Sequence, residues 1–296
     1  MSLKARAFVA LQYVLPLHGL SALMHKIARL ESTLVAQTLI RGFMRLYGVT
    51  LSEAMRETPQ QYRCFNDFFT RALKPDARPI AAHPQALVSP CDGRISQIGQ
   101  LELDQLLQAT LKAKRHTYGL AALMASETRA VPFIGGSFAC LYLAPHDYHR
   151  VHMPLAGQLR SAQHVPGSLF SVNEATARYV PGLFARNERI VMTFETDLGP
   201  MALIMVGALN VGSMNLAWHG DVKASAGRLS VPQSLPVPTT RFRAGDEIGR
   251  FNLGSTVIVL LPPHTWTWDS SLGCGSPVRM GQALGHQSLR AQGLSS

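Results

Sequence analysis

Apolar and polar positions change rhythm near residue 60, and the change divides the chain. Ahead of it, Leu, Ile, Met and Phe recur at helical spacing, and Ala7 to Met24 contains no Asp, Glu, Lys or Arg. Gln12, Pro16, His18 and Gly19 interrupt that run, so it makes a poor bilayer-spanning helix. Lys4, Arg6, Lys26, Arg29, Arg41 and Arg45 lie among the apolar residues as in a basic amphipathic helix that rests among lipid head groups. The same pattern suits helices packed on the body of the protein, and no small-x-small site closes the run as a signal peptide would. From Gln61 the runs shorten and are bounded by Gly and Pro. Strands are expected at Arg94 to Ile98, Ser137 to Leu143, Gly157 to His164, Arg189 to Glu195, Met201 to Val206 and Thr256 to Leu261. Asp197-Leu-Gly-Pro200 reads as a hairpin turn, and a helix capped by Asn66 is expected to Leu73, stopped by Lys74-Pro-Asp-Ala-Arg-Pro79. Pro232 to Pro238 reads as an exposed loop, and the residues from Gly273 onward as a loose tail. The fold class that follows is α+β, with an antiparallel β-rich core, barrel-like or sandwich, behind N-terminal amphipathic helices. The expected division is an N-terminal helical membrane-association region over residues 1–60 and a β-rich domain over 61–296, which carries the candidate chemistry.

Composition narrows the partners. The 296 residues are 47% hydrophobic and carry a net charge of +10, yet only 16% are charged, against about 25% in an ordinary soluble domain. Basic but sparsely charged, the chain suits an anionic bilayer. The cations are scattered and no reader motif appears, which argues against nucleic acid. Cys64, Cys91, Cys140 and Cys274 form no C-x-x-C pair, so neither a zinc knuckle nor a disulfide framework is indicated and a reducing compartment fits.

Three segments carry chemistry. Tyr142 to Pro154 brings His146, His149 and His152 into seven positions between two prolines; this spacing could serve zinc, although the prolines leave little room for the helix that would align all three. Val88 to Ile95 sets Asp92 in a Pro-x-Asp-Gly turn ahead of a strand. Gly249 to Ile258 holds Gly254 before Ser255, an unshielded carbonyl one bond from a hydroxyl that can attack it. Asp92, a histidine and Ser255 together supply the carboxylate, imidazole and hydroxyl of an activation relay. No G-x-S-x-G elbow is present to make this serine an ordinary hydrolase nucleophile.

With these residues in place, the chain resembles the phosphatidylserine decarboxylases of the bacterial and mitochondrial type, which process themselves and depend on a pyruvoyl group. The likeness runs through Phe65-Asn-Asp-Phe-Phe-Thr-Arg71, Pro90-Cys-Asp-Gly93, Asp147-Tyr-His-Arg-Val-His-Met-Pro154, Gly167-Ser-Leu-Phe-Ser-Val-Asn173, Leu183-Phe-Ala-Arg-Asn-Glu-Arg189, Val206-Gly-Ala-Leu-Asn-Val-Gly-Ser213 and Gly249 to Thr256. Two departures stand out. Lys114-Arg-His-Thr-Tyr-Gly-Leu120 exchanges a glycine for Arg115 and a serine for Gly119, and His146 precedes Asp147 where another basic residue is common.

The resemblance implies cleavage between Gly254 and Ser255 into chains 1–254 and 255–296. It assigns Asp92 and His152 to a processing triad with Ser255, and His149 to a supporting part in decarboxylation. Ser255 would become a covalent pyruvoyl cofactor that forms a Schiff base with phosphatidylserine, releases carbon dioxide and yields phosphatidylethanolamine. No metal is implied. The expected partners are phosphatidylserine in an anionic membrane and the two chains of one precursor, with a homodimer compatible; the expected location is peripheral, on the cytoplasmic face of the inner membrane. Three rivals are a zinc hydrolase built on His146, His149 and His152, a peripheral lipid-binding protein whose Gly-Ser pair is only a turn, and a pyruvoyl decarboxylase of free amino acids.

Overall fold

The computed structural model describes residues 3–83, 85–103, 109–113, 116–209, 213–223, 231–252, 255–264 and 266–288. Three helices come first: α1 (Leu3–Val14), α2 (Leu17–Ala28) and α3 (Thr33–Tyr47). Pro16 lacks the N–H that would continue α1 and instead opens α2, and the two axes diverge by 93°. Gly48, in the left-handed region at φ 66°, ends α3 by donating to the Met44 carbonyl. No single described helix is long and apolar enough to cross a membrane, although the bent pair α1–α2 passes that test in combination.

These helices are docked on the rest of the chain. Val9, Leu17, Ala28, Ala36 and Ile40 are buried. Gln12 is buried too, donating to Thr176 Oγ1 at 3.3 Å and accepting from the Ser171 N–H at 2.7 Å, which ties α1 to the Gly167–Asn173 segment. On the outer side Leu20, Leu23, Met24, Leu34 and Leu46 stay exposed, as do Lys26, Arg41 and Arg45. Arg29, expected to seek head groups with them, instead pairs with Asp221 at 2.6 Å. The side chains of Lys4 and Arg6 lie outside the described set.

The body is built on an antiparallel nine-stranded sheet. Its long strands are β1 (Gly93–Gln100), β2 (Ser137–Leu143), β4 (Gly157–Val165), β5 (Arg189–Thr196), β6 (Gly199–Gly207) and β10 (Ser255–Leu261). Their spatial order is β4, β5, β6, β10, β2, β1, with Gln233–Leu235 and Arg241–Phe242 pairing β4 at one edge and Pro277–Val278 pairing β1 at the other. The sheet does not close into a barrel. A second sheet of four strands orders β8 (Gly220–Lys223), β7 (Ser213–Leu216), β9 (Glu247–Phe251) and β3 (Arg150–His152). All seven residues of β10 are buried, as a strand covered on both faces requires, and Val257 to Leu261 supply the continuous apolar run. The six expected strands are present, β2 with the expected ends, and the Asp197 turn joins β5 to β6.

Three expectations fail. The helix near Asn66 is short, α4 (Phe65–Phe69), with Cys64 at its cap; Asn66 lies inside it and donates to Asn252 Oδ1 at 3.2 Å. Pro232 to Pro238 is no free loop, since Gln233–Leu235 adds a strand against β4. The residues beyond Gly273 are folded to Ser288, with Ala283–Gln287 lying between Ala86–Val88 and Trp266–Trp268 in a three-stranded sheet.

Candidate active site

Ser255 opens β10 four residues after Phe251 closes β9, so the chain passes here from the four-stranded sheet to the nine-stranded one. Gly254 lies outside the described residues. Ser255 stands opposite Gly207 on β6 and Leu143 on β2. Its hydroxyl is fully buried and has no hydrogen-bond partner among the described residues. A buried hydroxyl left unpaired costs about 1–3 kcal/mol, and the Thr256 hydroxyl next along β10 is unpaired among the described residues in the same way.

His149 lies in the turn before β3, and His152 ends that strand opposite Glu247 of β9. His149 is wholly buried, and its ring stacks on Phe69 of α4 with centroids 4.1 Å apart. The ring Nε2–H donates to the Ala144 carbonyl at 3.0 Å, one residue beyond Leu143, the β2 partner of Ser255. The backbone carbonyl of His149 accepts from the Phe251 N–H at 3.0 Å, which ties the turn to the end of β9. Because a carbonyl can only accept, the neutral ring carries its proton on Nε2 and leaves a lone pair on Nδ1, buried and unpartnered. Burial first, and the Arg71 charge second, push its pKa down to about 3, so the imidazole is neutral at physiological pH. His152 is held the other way round: Nδ1–H donates to the Gly245 carbonyl at 2.8 Å and Nε2 accepts from the Tyr148 hydroxyl at 2.9 Å. Burial lowers its pKa as well, and burial raises that of Tyr148.

Asp92 sits in the expected turn, buried, and is spoken for. It accepts from Arg78 Nε at 2.8 Å, from Arg78 Nη2 at 2.5 Å and from the Met280 N–H at 2.9 Å. The next residue, Gly93, allows the close pairing of β1 with β2: its φ is +156°, and a Cβ there would meet the Tyr142 carbonyl oxygen at 2.4 Å. Against the burial effect the Gly245 carbonyl, then the Glu247 charge and, least of the three, the Asp92 charge raise the His152 pKa, and Asp92 is not hydrogen-bonded to that ring. Asp92 precedes Gly93, which lies beside Leu143 and Ser255 at one end of the nine-stranded sheet, and the Pro90 carbonyl two residues earlier accepts from the His152 N–H at 2.7 Å. The structure does not join Asp92, His152 and Ser255 through hydrogen bonds.

Asp92 borders a cleft of about 340 Å³ whose wall includes Arg71, Arg78, Arg94, His146, Asp147 and Tyr148. His146 is half exposed and lies 3.6 Å from Asp147. Among the described residues no group of three His, Cys, Asp or Glu side chains is arranged to share a metal ion, and the three histidines turn to different partners. Sequence reasoning missed Arg78, which reads only as part of a proline-bounded helix stop, and Tyr148 and Gly245, which hold His152. Of the departures from the resembled pattern, Lys114 and Arg115 lie outside the described residues.

Comparison with known proteins fits this geometry. The family described as phosphatidylserine decarboxylase matches residues 65–286, and a second family, described as PSD, matches residues 7–48. A phosphatidylserine decarboxylase proenzyme of Methylococcus capsulatus is 46% identical over 285 residues, covering 96% of this chain and 98% of the relative. Proenzymes of the same name are 48% identical in Bordetella pertussis, over 96% of this chain and 95% of the relative, and in Pseudomonas aeruginosa strain LESB58, over 96% and 98%.

Proposed function

The chain belongs to the phosphatidylserine decarboxylase family, and from that membership we propose that it is a phosphatidylserine decarboxylase proenzyme whose Ser255 becomes a pyruvoyl group by self-cleavage. The observation that carries the finer part is the Ser255 hydroxyl, buried without a partner at the head of a fully buried strand. That fit suits a small carbonyl group fixed at the start of β10.

In this reading His152 removes the hydroxyl proton through the Nε2 lone pair, after Tyr148 releases it, and the oxygen attacks the Gly254 carbonyl carbon. As the C–O bond forms, His152 passes that proton to the Ser255 nitrogen and the Gly254–Ser255 C–N bond breaks, which turns the amide into an ester and leaves a free amine. Loss of the Ser255 α-proton expels Gly254 as a carboxylate and leaves dehydroalanine; its enamine tautomerises, and water replaces nitrogen, which departs as ammonia. The two chains are 1–254 and 255–296. Asp92 acts on His152 across space, through its negative charge.

The pyruvoyl carbonyl supplies an electron sink for the pair left behind when the substrate carboxylate departs as carbon dioxide. His149, whose Nδ1 lone pair is free to take up a proton and pass it on, is the residue suited to delivering one to the substrate α-carbon. Burial of β10 on both faces keeps bulk water from the reacting carbon. The exposed Leu20, Leu23, Leu34 and Leu46, with Lys26, Arg41 and Arg45, support docking on an anionic bilayer at the cytoplasmic face of the inner membrane. A denaturing gel tests the reading: wild-type protein gives a large and a small band, Ser255→Ala and His152→Ala give one full-length band, and His149→Ala gives two bands without lipid decarboxylation. A single unbroken wild-type chain that still decarboxylates would remove the basis of the proposal.

A further inference from the structure

The cleft beside Asp92 contains a cation that the chemistry above uses only through its charge on His149. Arg71 ends the Phe65–Arg71 segment and is 6% exposed. Its Nη2 donates to the His146 carbonyl at 3.2 Å, and the guanidinium carbon lies 5.4 Å from the centre of the Phe68 ring. Its Nη1 is buried and donates to no group among the described residues. Burying a guanidinium while leaving one of its donors unpaired is costly, and burial lowers the pKa of Arg71. Of the neighbouring arginines, Arg78 is held by Asp92 and Glu53 and Arg279 by Glu53, whereas Arg94 is exposed and donates to the Gly275 carbonyl at 3.3 Å, so Arg71 is the buried cation of the cleft with a donor to spare.

We propose that Arg71 receives the phosphodiester of the lipid head group through this free Nη1, a substrate-positioning role that rests on the decarboxylase reading. An anionic ligand is what a buried, unpaired guanidinium N–H selects. The substrate offers two anions, and the chemistry chooses between them. A cation on the carboxylate would stabilise the charged ground state that must vanish as neutral carbon dioxide leaves, opposing the reaction, whereas the phosphodiester keeps its charge throughout.

Position agrees. Ser255, Leu143 and Gly93 lie abreast on β10, β2 and β1, so the cleft starts two strand spacings, roughly 10 Å, from Ser255. The cleft is also walled by Tyr47 and Gly48 at the end of α3, and Phe43 and Leu46 of the same helix line an apolar groove of about 310 Å³ with Met24 and Ile27 of α2. One helix end therefore separates a polar cleft from an apolar groove, as a molecule with a charged head and acyl tails requires.

The test uses the full-length protein with Arg71→Met and Arg71→Lys. Chain cleavage is read on a gel, the new carbonyl by hydroxylamine trapping and mass spectrometry, and turnover with dihexanoyl phosphatidylserine in detergent micelles. Arg71→Met is expected to cleave itself and carry the carbonyl, with KM raised about 10- to 100-fold and kcat within about threefold of wild type. Competition by glycerol 3-phosphate should be lost while competition by free serine, which has amine and carboxylate but no phosphate, persists; Arg71→Lys should fall between. Unchanged KM and unchanged glycerol 3-phosphate competition overturn the proposal, and parallel loss of serine competition assigns Arg71 to the carboxylate instead. Should Arg71→Met not fold, an unchanged KM in Arg71→Lys overturns it equally. A wild-type chain that neither cleaves nor releases carbon dioxide defeats the decarboxylase reading instead.

Discussion

Replacing Asp92 by Ala in a Ser255→Ala background, where the chain stays whole, isolates what this carboxylate does for the fold. Asp92 and Arg78 are buried together, their side chains 10% and 8% exposed, and the carboxylate accepts from two guanidinium nitrogens and the Met280 N–H. Removing one partner of a buried pair costs about 3–5 kcal/mol, because the other charge is left in a poorly solvating place. Glu53 still accepts from Arg78 Nη1 at 2.9 Å, so the lower end, about 3 kcal/mol, is expected. Urea unfolding followed by tryptophan fluorescence measures the loss. Removing both partners, Asp92→Ala with Arg78→Met, should recover most of it, to within about 1 kcal/mol of the parent. A single-variant loss below about 1 kcal/mol, or a double variant as unstable as the sum of both singles, would show that the pair is not the buried unit inferred here. The same double change on the Ser255 protein separates two roles of Asp92: restored folding without self-cleavage leaves the charge a part in activating His152.

Three further outcomes are expected. Gly93→Ala should destabilise by about 2 kcal/mol or more in urea, since its Cβ would sit 2.4 Å from the Tyr142 carbonyl oxygen and β1 must move off β2; a neutral result contradicts the close pairing. The His149 pKa is lowered on folding, so the unfolded chain takes up a proton first, and its contribution is complete above about pH 6.5 and lost as pH falls toward 3, at up to about 1.4 kcal/mol per pH unit. Denaturation at pH 7, 6 and 5 should show this slope, and His149→Asn should flatten it; equal slopes in the two proteins would count against a buried neutral imidazole. Leu23→Glu with Leu34→Glu should weaken sedimentation with anionic vesicles about tenfold or more while self-cleavage continues, and undiminished binding would refute docking by this face. Point changes suit this test better than removing residues 1–30, because Val9, Gln12 and Leu17 are part of the packed body.

The central strands were legible because local chemistry dictates them. Ser137–Leu143 is apolar with two aromatic residues and Ser255–Leu261 is apolar and rich in β-branched residues, both between Gly and Pro boundaries, and burial on both faces favours that composition. Gln233–Leu235 was hidden by prolines, which an edge strand tolerates. Ala283–Gln287 was hidden because its partners, Ala86–Val88 and Trp266–Trp268, are supplied by distant or short segments. At the site, residue types and their setting pointed to Asp92, one of three histidines and Ser255, and the family resemblance singled out His149 and His152 among the three. Arg78, Tyr148 and the Gly245 carbonyl could not be named, since the pairings that matter span up to 93 residues and leave no local periodicity.

The route of Ser255–Leu261 and of residues 266–288 through the fold bears on what the proposed cleavage would leave behind. With the bond before Ser255 cut, the shorter product would supply a middle strand of the nine-stranded sheet, that sheet's far edge at Pro277–Val278, and two strands of the sheet that holds Ala86–Val88. Such a subunit cannot dissociate and be replaced from a common pool without unfolding its mate. Each mature molecule therefore keeps for life the partner it was translated with, and mixing separately prepared fragments should not complement a defective copy.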